Sequence, residues 1–233
     1  MKSKRKHQQK KGTCAYCGKE AFVSDDHIPP KNLFAHPRPS NLITVPSCKK
    51  CHDNTSKDDE YFLHILSIRM DVHEHPDAKQ NWKAIFESLR RLSNYKYVKY
   101  LFNERRKVDL FSRSGLYIGD TIAVKFDMDR LCKVVNRIIK GLFFLHMGAI
   151  IPAEYTITIY PIEGLNISLR DYKKDLKDFF LKFKNIEPII IGNNVFLYKY
   201  LVASDDKYSS AWLLMFYGKV MFFALVKRMN NDL

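Results

Sequence analysis

The chain lacks an apolar run of membrane-spanning length. Its longest candidates, Val134 to Ile151 and Ala211 to Val226, are broken by Arg137, Lys140 and His146 in the first and by Lys219 in the second, whereas a span needs about 20 consecutive apolar residues. No apolar segment stands behind the basic N-terminus, where a secretory signal would carry one. A cytoplasmic protein without membrane contact is therefore expected. Repeats and low-complexity tracts are absent as well. Acidic residues are scarce, 25 against 39 Lys and Arg in 233 residues, for a formal net charge of +14 and a pI near 9.5. None precedes the first cysteine, while Lys2, Lys4, Arg5, Lys6, Lys10 and Lys11 do. This balance favours a polyanionic partner. Residues 1–12 read either as a phosphate-contacting arm or as a solubilising tail.

Cysteine is sparse too, with five in all, and its spacing carries information. Cys14 and Cys17 form one C-x-x-C pair, Cys48 and Cys51 a second. Inside a cell such pairs read as metal ligands rather than disulfides, and two knuckles supply the four tetrahedral sulfurs of a closed structural Zn²⁺ site. The fifth, Cys132, reads as a buried core residue. A bare zinc ribbon needs only turns between its knuckles. Here the insert holds Asp26-His27 and Asn41, and His52 follows the last cysteine directly.

The stretch from Cys14 to Lys57, above all DDHIPPKNLF and NLITVPSCKKCH, resembles the HNH (ββα-metal) endonuclease family of the four-cysteine, zinc-containing type. The resemblance covers about the first quarter of the chain. It implies a zinc-stabilised ββα-metal module and hydrolysis of DNA phosphodiesters to a 5′-phosphate and a 3′-hydroxyl. In it, Asp26 and His52 hold one divalent ion, Mg²⁺ or in its place Mn²⁺ or Ni²⁺. His27 activates water, and Asn41 fixes the loop and orients that base. Many relatives carry a glycine pair between the histidine and the asparagine; this chain has Lys31-Asn32-Leu33-Phe34 among prolines, which implies a stiffer loop. Duplex DNA is the implied partner, and restriction, mobile-element and phage-defence settings are where such relatives occur.

The demands of the reaction agree with these residues. Water must lose a proton near neutral pH, where histidine titrates, so His27 suits a general base. Asp26 offers a hard oxygen to a cation acting as Lewis acid and leaving-group stabiliser. Neighbours on a strand point to opposite faces, so Asp26 and His27 serve ion and water separately only if the backbone turns there, and Ile28-Pro29-Pro30 fits a sharp exit from a strand into a loop. Two alternatives stay open: Asp25 in a shifted register, and Asn54 in place of His52. Lys31, Arg38, Lys49, Lys50 and Lys57 are candidate nucleic-acid contacts, the last three near a helix start that suits phosphate; His36 is either a contact or a solvated loop residue.

Four parts are expected: the arm 1–12, the nuclease module 13–60, a helical connector 61–106, and an α+β domain 107–233 with a mostly antiparallel sheet. Tyr61, Leu63, Leu66 and Met70 suit one helix, and Trp82, Ile85, Phe86, Leu89 and Leu92 another entered after Pro76-Asp77. Tyr95 to Arg106 interleaves tyrosines with bases and reads as an amphipathic helix with a snorkelling charged face. Nucleic-acid stacking is its other reading. Further on come a hairpin at Leu116 to Phe126 turning near Gly119-Asp120, a helix Asp127 to His146, a strand Tyr155 to Ile162 and a helix Leu169 to Phe183. Hairpins follow through Gly192-Asn193-Asn194 and Gly218-Lys219. Phe143, Phe144, Trp212, Phe216, Phe222 and Phe223 are expected in the core. The last domain is the candidate for target reading, homodimerisation or a partner protein. The functions to be separated are a DNA endonuclease, a non-catalytic zinc-finger-like nucleic-acid-binding protein and an RNA-directed nuclease.

Overall fold

The computed structural model describes residues 10–53, 55–90, 95–112, 114–162 and 181–229, with Tyr97 and Leu101 as backbone only. Within them the chain is a mixed α+β fold with three antiparallel sheets. The first sheet joins β1 (Lys10–Thr13), β2 (Glu20–Ile28) and β3 (Ile43–Cys48) in that order. Its register sets Asp26 opposite Val45 and His27 opposite Thr44. The short α1 (Lys49–His52) leaves β3 directly.

Helix signals in the sequence act as expected. The chain continues through α2 (Ser56–Ser67) and α3 (Pro76–Leu89), the latter with proline in its first turn and the His75 ring accepting from the Asp77 N–H at 3.2 Å. Proline there costs nothing, because that N–H has no helical partner. After α4 (Tyr95–Phe102), the ribbon of β4 (Arg106–Phe111) and β5 (Tyr117–Ala123) leads to α5 (Met128–Met147). Asp127 caps α5, accepting from the Arg130 N–H at 3.2 Å, and Gly148 closes it at φ +65°. These are the expected N-cap carboxylate and left-handed C-terminal glycine. The third sheet runs β6 (Tyr155–Ile162), β10 (Val220–Arg228), β9 (Ser210–Phe216), β8 (Phe196–Val202), β7 (Ile189–Ile191). The aromatic residues expected in the core lie inside: Phe143 of α5 and Trp212, Phe216, Phe222 and Phe223 of the third sheet are buried, and Phe144 of α5 packs partly buried against the main core.

Two expectations are corrected and two lie largely out of reach. Gly119-Asp120 is no turn: both sit inside β5, where Gly119 faces Leu110 beside a register shift. The reversal comes earlier, where the Ser112 N–H reaches the Leu116 carbonyl at 2.7 Å and Gly115 takes φ +84°. The glycine at 119 serves the irregularity of the strand. Cys132 is only half-buried, on the flank of α5 rather than in the core. The helix expected over Leu169 to Phe183 lies largely outside the described residues, as does most of the basic arm; residues 10–12 of that arm belong to β1.

One apolar core crosses the boundary at residue 60. It contains Ile28, Leu33, Phe34 and Val45 from the first sheet and its loop. It runs on through Phe62 of α2 and Ile138 of α5 to Phe196, Trp212 and Phe222. Gly141 lets α5 approach β2 closely: a Cβ there would lie 2.6 Å from Ile28 Cδ1. The loop from Pro30 to Leu42 is fastened by groups from later in the chain. Tyr217 Oη donates to the Leu33 carbonyl at 2.8 Å, and Asp77 Oδ1 accepts from the Ala35 N–H at 3.0 Å. Asn81 Nδ2 donates to the Leu33 carbonyl at 3.0 Å, and Gln80 Nε2 to the His36 carbonyl at 2.6 Å.

Candidate metal centre and polar cleft

Two tight knuckles bring the four paired cysteines together. The Gly18 N–H closes the first by donating to the Cys14 carbonyl at 2.9 Å, with Gly18 at φ +70°. The Ala15 N–H donates to the Pro46 carbonyl at 2.8 Å, which ties that knuckle to β3. The sulfurs of Cys14, Cys17, Cys48 and Cys51 all lie within 4.8 Å of one another, and those of Cys17 and Cys48 are 3.9 Å apart. Zn–S bonds of about 2.3 Å place tetrahedral sulfurs about 3.8 Å apart. The four cysteines could therefore hold a structural metal such as zinc. The Cys48 N–H donates to Cys14 Sγ at 3.3 Å, the contact a thiolate welcomes. Burial alone raises the Cys14 thiol, yet backbone donors at Cys48, Tyr16 and Cys17 bring it down to about 7.

Beside this cluster a cleft of about 430 Å³ is lined by Asp25, Asp26, His27, Lys31, His52 and Asp59, among others. Asp26 and His27 adjoin on β2, which runs on to Ile28 without turning between them, and both still reach the cleft that wraps the strand's end. Asp26 is 7% exposed and His27 half-buried. His52, at the end of α1, places Nε2 3.9 Å from Asp26 Oδ1. Two donors at that separation can share one ion with bonds of about 2.0–2.2 Å. Burial pushes the His27 imidazole below its ordinary value, with Lys31 and Arg38 adding to the effect and Asp26 opposing it. Its neutral form is thus favoured.

Three further residues at the cleft, Tyr16, Asp59 and Arg137, carry no motif in the sequence. Tyr16 Oη donates to Asp26 Oδ2 at 2.7 Å, which leaves Oδ1 toward His52. Asp59, on the first turns of α2, pairs with Arg137 of α5. Burial raises the Asp59 carboxyl, and Arg137 works against that rise. Arg137 Nη1 is buried with no hydrogen-bond partner among the described residues. The signals were present but weak. Tyr16 stands inside the first knuckle, and Arg137 interrupts an apolar run; a cation on a buried helical face needs an acid.

The other expected residues scatter. Asn41 is not among the residues that line the cleft: its Nδ2 donates to the Ile190 carbonyl at 3.1 Å and its Oδ1 accepts from the Gly192 N–H at 3.1 Å. These bonds clamp its loop to the end of β7 and the turn that follows. Lys31 lines the cleft. Lys49, Lys50 and Lys57 are exposed around the helix starts, and Arg38 is exposed in the loop. His36 is exposed, its carbonyl accepting from Gln80. Among the described residues no helix is long and apolar enough to cross a membrane. No family model matches the chain, and no curated protein or solved structure matches it either.

Proposed function

We propose that the chain is a metal-dependent endonuclease of the HNH type, cutting DNA. The observation that carries this reading is the convergence of Asp26 Oδ1 and His52 Nε2 at 3.9 Å in one cleft with His27, next to the four-sulfur cluster. The donor set suits a divalent ion, since a carboxylate oxygen and an imidazole nitrogen face each other in a cleft that also carries Asp25, Asp53 and Asp59. Bound there by Asp26 and His52, such an ion supplies Lewis acidity toward a phosphoryl oxygen and the departing oxygen.

The remaining work falls to the protein. Tyr16 orients Asp26 by holding its second oxygen, much as outer partners fix metal-ligating carboxylates generally. His27, kept neutral by its burial and its basic neighbours, accepts the proton of a water facing the phosphorus. Lys31, in the same cleft, offers a cation to the phosphate oxygens. The loop that positions Lys31 is pinned by Asn81 and Tyr217, so it needs no glycine pair to find its shape.

The test is incubation of supercoiled plasmid with the full chain and Mg²⁺ or Mn²⁺. Nicked or linear DNA is expected. Retained DNA binding without cleavage under either ion contradicts the enzyme reading and favours a zinc-finger-like binding protein. Cleavage of structured RNA with plasmid left intact assigns the activity to RNA.

A further inference from the structure

Helix α4 places Lys96, Lys99, Tyr100 and, one step beyond its end, Asn103 at i, i+3, i+4 and i+7 along one face. That face lines a groove of about 550 Å³ with Glu104, Lys125, Phe126 and Asp127 across from it. The expected helix is present, and on it Tyr100 is 54% and Tyr95 65% exposed. Phe102 is the ring that packs partly buried against the core.

The groove carries the cations Lys96, Lys99 and Lys125 against the carboxylates Glu104 and Asp127, a small positive excess. Glu104 pairs with Lys125, Oε2 to Nζ at 3.1 Å, and Asp127 accepts the Arg130 N–H at 3.2 Å as the cap of α5. No ion pair engages Lys96 or Lys99 among the described residues. What remains free to face a ligand is two ammonium groups beside a phenol and an amide, all of them types that contact nucleic-acid phosphates.

The groove also has a fixed place relative to the cleft. Asp127 borders the groove and starts α5, while Arg137 of the same helix pairs with Asp59 of the cleft. Between them Arg130 binds α2, its Nε 2.7 Å from Asp58 Oδ1 and its Nη2 donating to the Lys57 carbonyl at 2.9 Å. Asp127 and Arg137 stand ten residues apart, about 15 Å along the axis of α5 at 1.5 Å per residue.

We propose that the α4 groove binds the phosphate backbone of duplex DNA, with Lys96 and Lys99 as the charged contacts. The groove's affinity for duplex does not depend on the nuclease reading above. The test is fluorescence anisotropy of the full chain on a labelled mixed-sequence duplex of about 20 bp, without added divalent ion, from about 50 to 200 mM salt. Lys96→Ala/Lys99→Ala is expected to weaken binding by about tenfold or more near 0.1 M salt and to reduce the log–log salt slope by about two. Lys96→Arg/Lys99→Arg should restore both. Lys227→Ala/Arg228→Ala, exposed at the end of β10, serves as the charge-matched control and should change neither. An unchanged affinity and slope in the alanine variant overturns the proposal, and so does a loss no larger than the control's. A change in oligomeric state by light scattering with affinity intact also overturns it, assigning the groove to a second copy of the chain. A wild-type protein that binds duplex through these lysines but never cuts it leaves the groove standing and sinks the nuclease reading.

Discussion

The first sheet and the third sheet reach order by different means. Strands β1 to β3 contribute few large side chains to the interior, Ile28 and Val45 with Leu33 and Phe34 from the loop. What they bring instead is four clustered sulfurs that could hold a metal, a tyrosine–aspartate hydrogen bond and a loop tied down from outside. The third sheet carries Phe196, Tyr198, Trp212, Leu214, Phe216 and Phe222 into the same core, ring against ring: Phe62 meets Phe216 at 5.1 Å, and Tyr200 stacks on Trp212 at 5.0 Å. Burial of such side chains stabilises by about 1.5–3 kcal/mol each. The first region has too little of it to stand on that term alone, so polar and metal-binding groups take its place there. The cleft sits where the apolar material is thinnest, and α5 supports it from the region where that material is thickest.

Removing a sulfur breaks the comparison most severely. Cys48→Ser is expected to abolish bound zinc and with it the order of residues 10–53, because a structural zinc site contributes about 10–16 kcal/mol of folding free energy, as much as a whole domain's stability. Metal analysis beside a melting curve checks this; a zinc-free variant with an unchanged melt would mean the sulfurs are idle. Trp212→Ala strikes the other region. It is expected to cost about 3–5 kcal/mol in denaturant unfolding while zinc content stays the same, whereas loss of zinc in this variant would show that the first sheet depends on the third for its metal.

Arg137→Ala lies between the two regions. It leaves the Asp59 carboxylate partly buried without its partner, a change that costs about 3–5 kcal/mol, and Arg137→Lys should recover part of that in the same unfolding assay. Equal stability of all three proteins would deny α5 any part in supporting the cleft.

The smallest expected effect comes from pH. Burial lowers the pKa of His146, whose Nε2 lies 2.9 Å from Tyr198 Oη while its ring stacks on Tyr200. With the folded value below the unfolded one, its contribution is complete above about pH 6.5 and is lost as pH falls toward the folded value. Stability should therefore drop by up to about 1.4 kcal/mol per pH unit below pH 6.5, and His146→Gln should flatten that slope without moving the zinc.

The parts of the structure that were legible in the sequence are those written in local chemistry. Cysteine spacing, the Asp127 cap, Pro76 at a helix start, the alternation from Tyr155 to Ile162 and the turn at Gly192-Asn193-Asn194 each fix structure within a few residues, and each has its counterpart. The hairpin at Gly119 was misplaced because glycine serves both turns and strand irregularities, and only the pairing partner Leu110 decides between them. The convergence of Asp26 with His52 was legible through the resemblance. The support from Arg137 was not, since 78 residues separate it from Asp59 and no spacing rule links them. The partner of Asn41 was likewise out of reach: its amide donates to the Ile190 carbonyl, 149 residues on and invisible from its own neighbourhood.

The claim at the centre is that the sulfurs clamp and His27 reacts. The direct measurement is plasmid cleavage by His27→Ala at matched zinc content and matched melting temperature. The account predicts that zinc and melt are retained while the cleavage rate falls by about 10²–10⁴. Cleavage at the wild-type rate by a zinc-loaded, folded His27→Ala protein would contradict it.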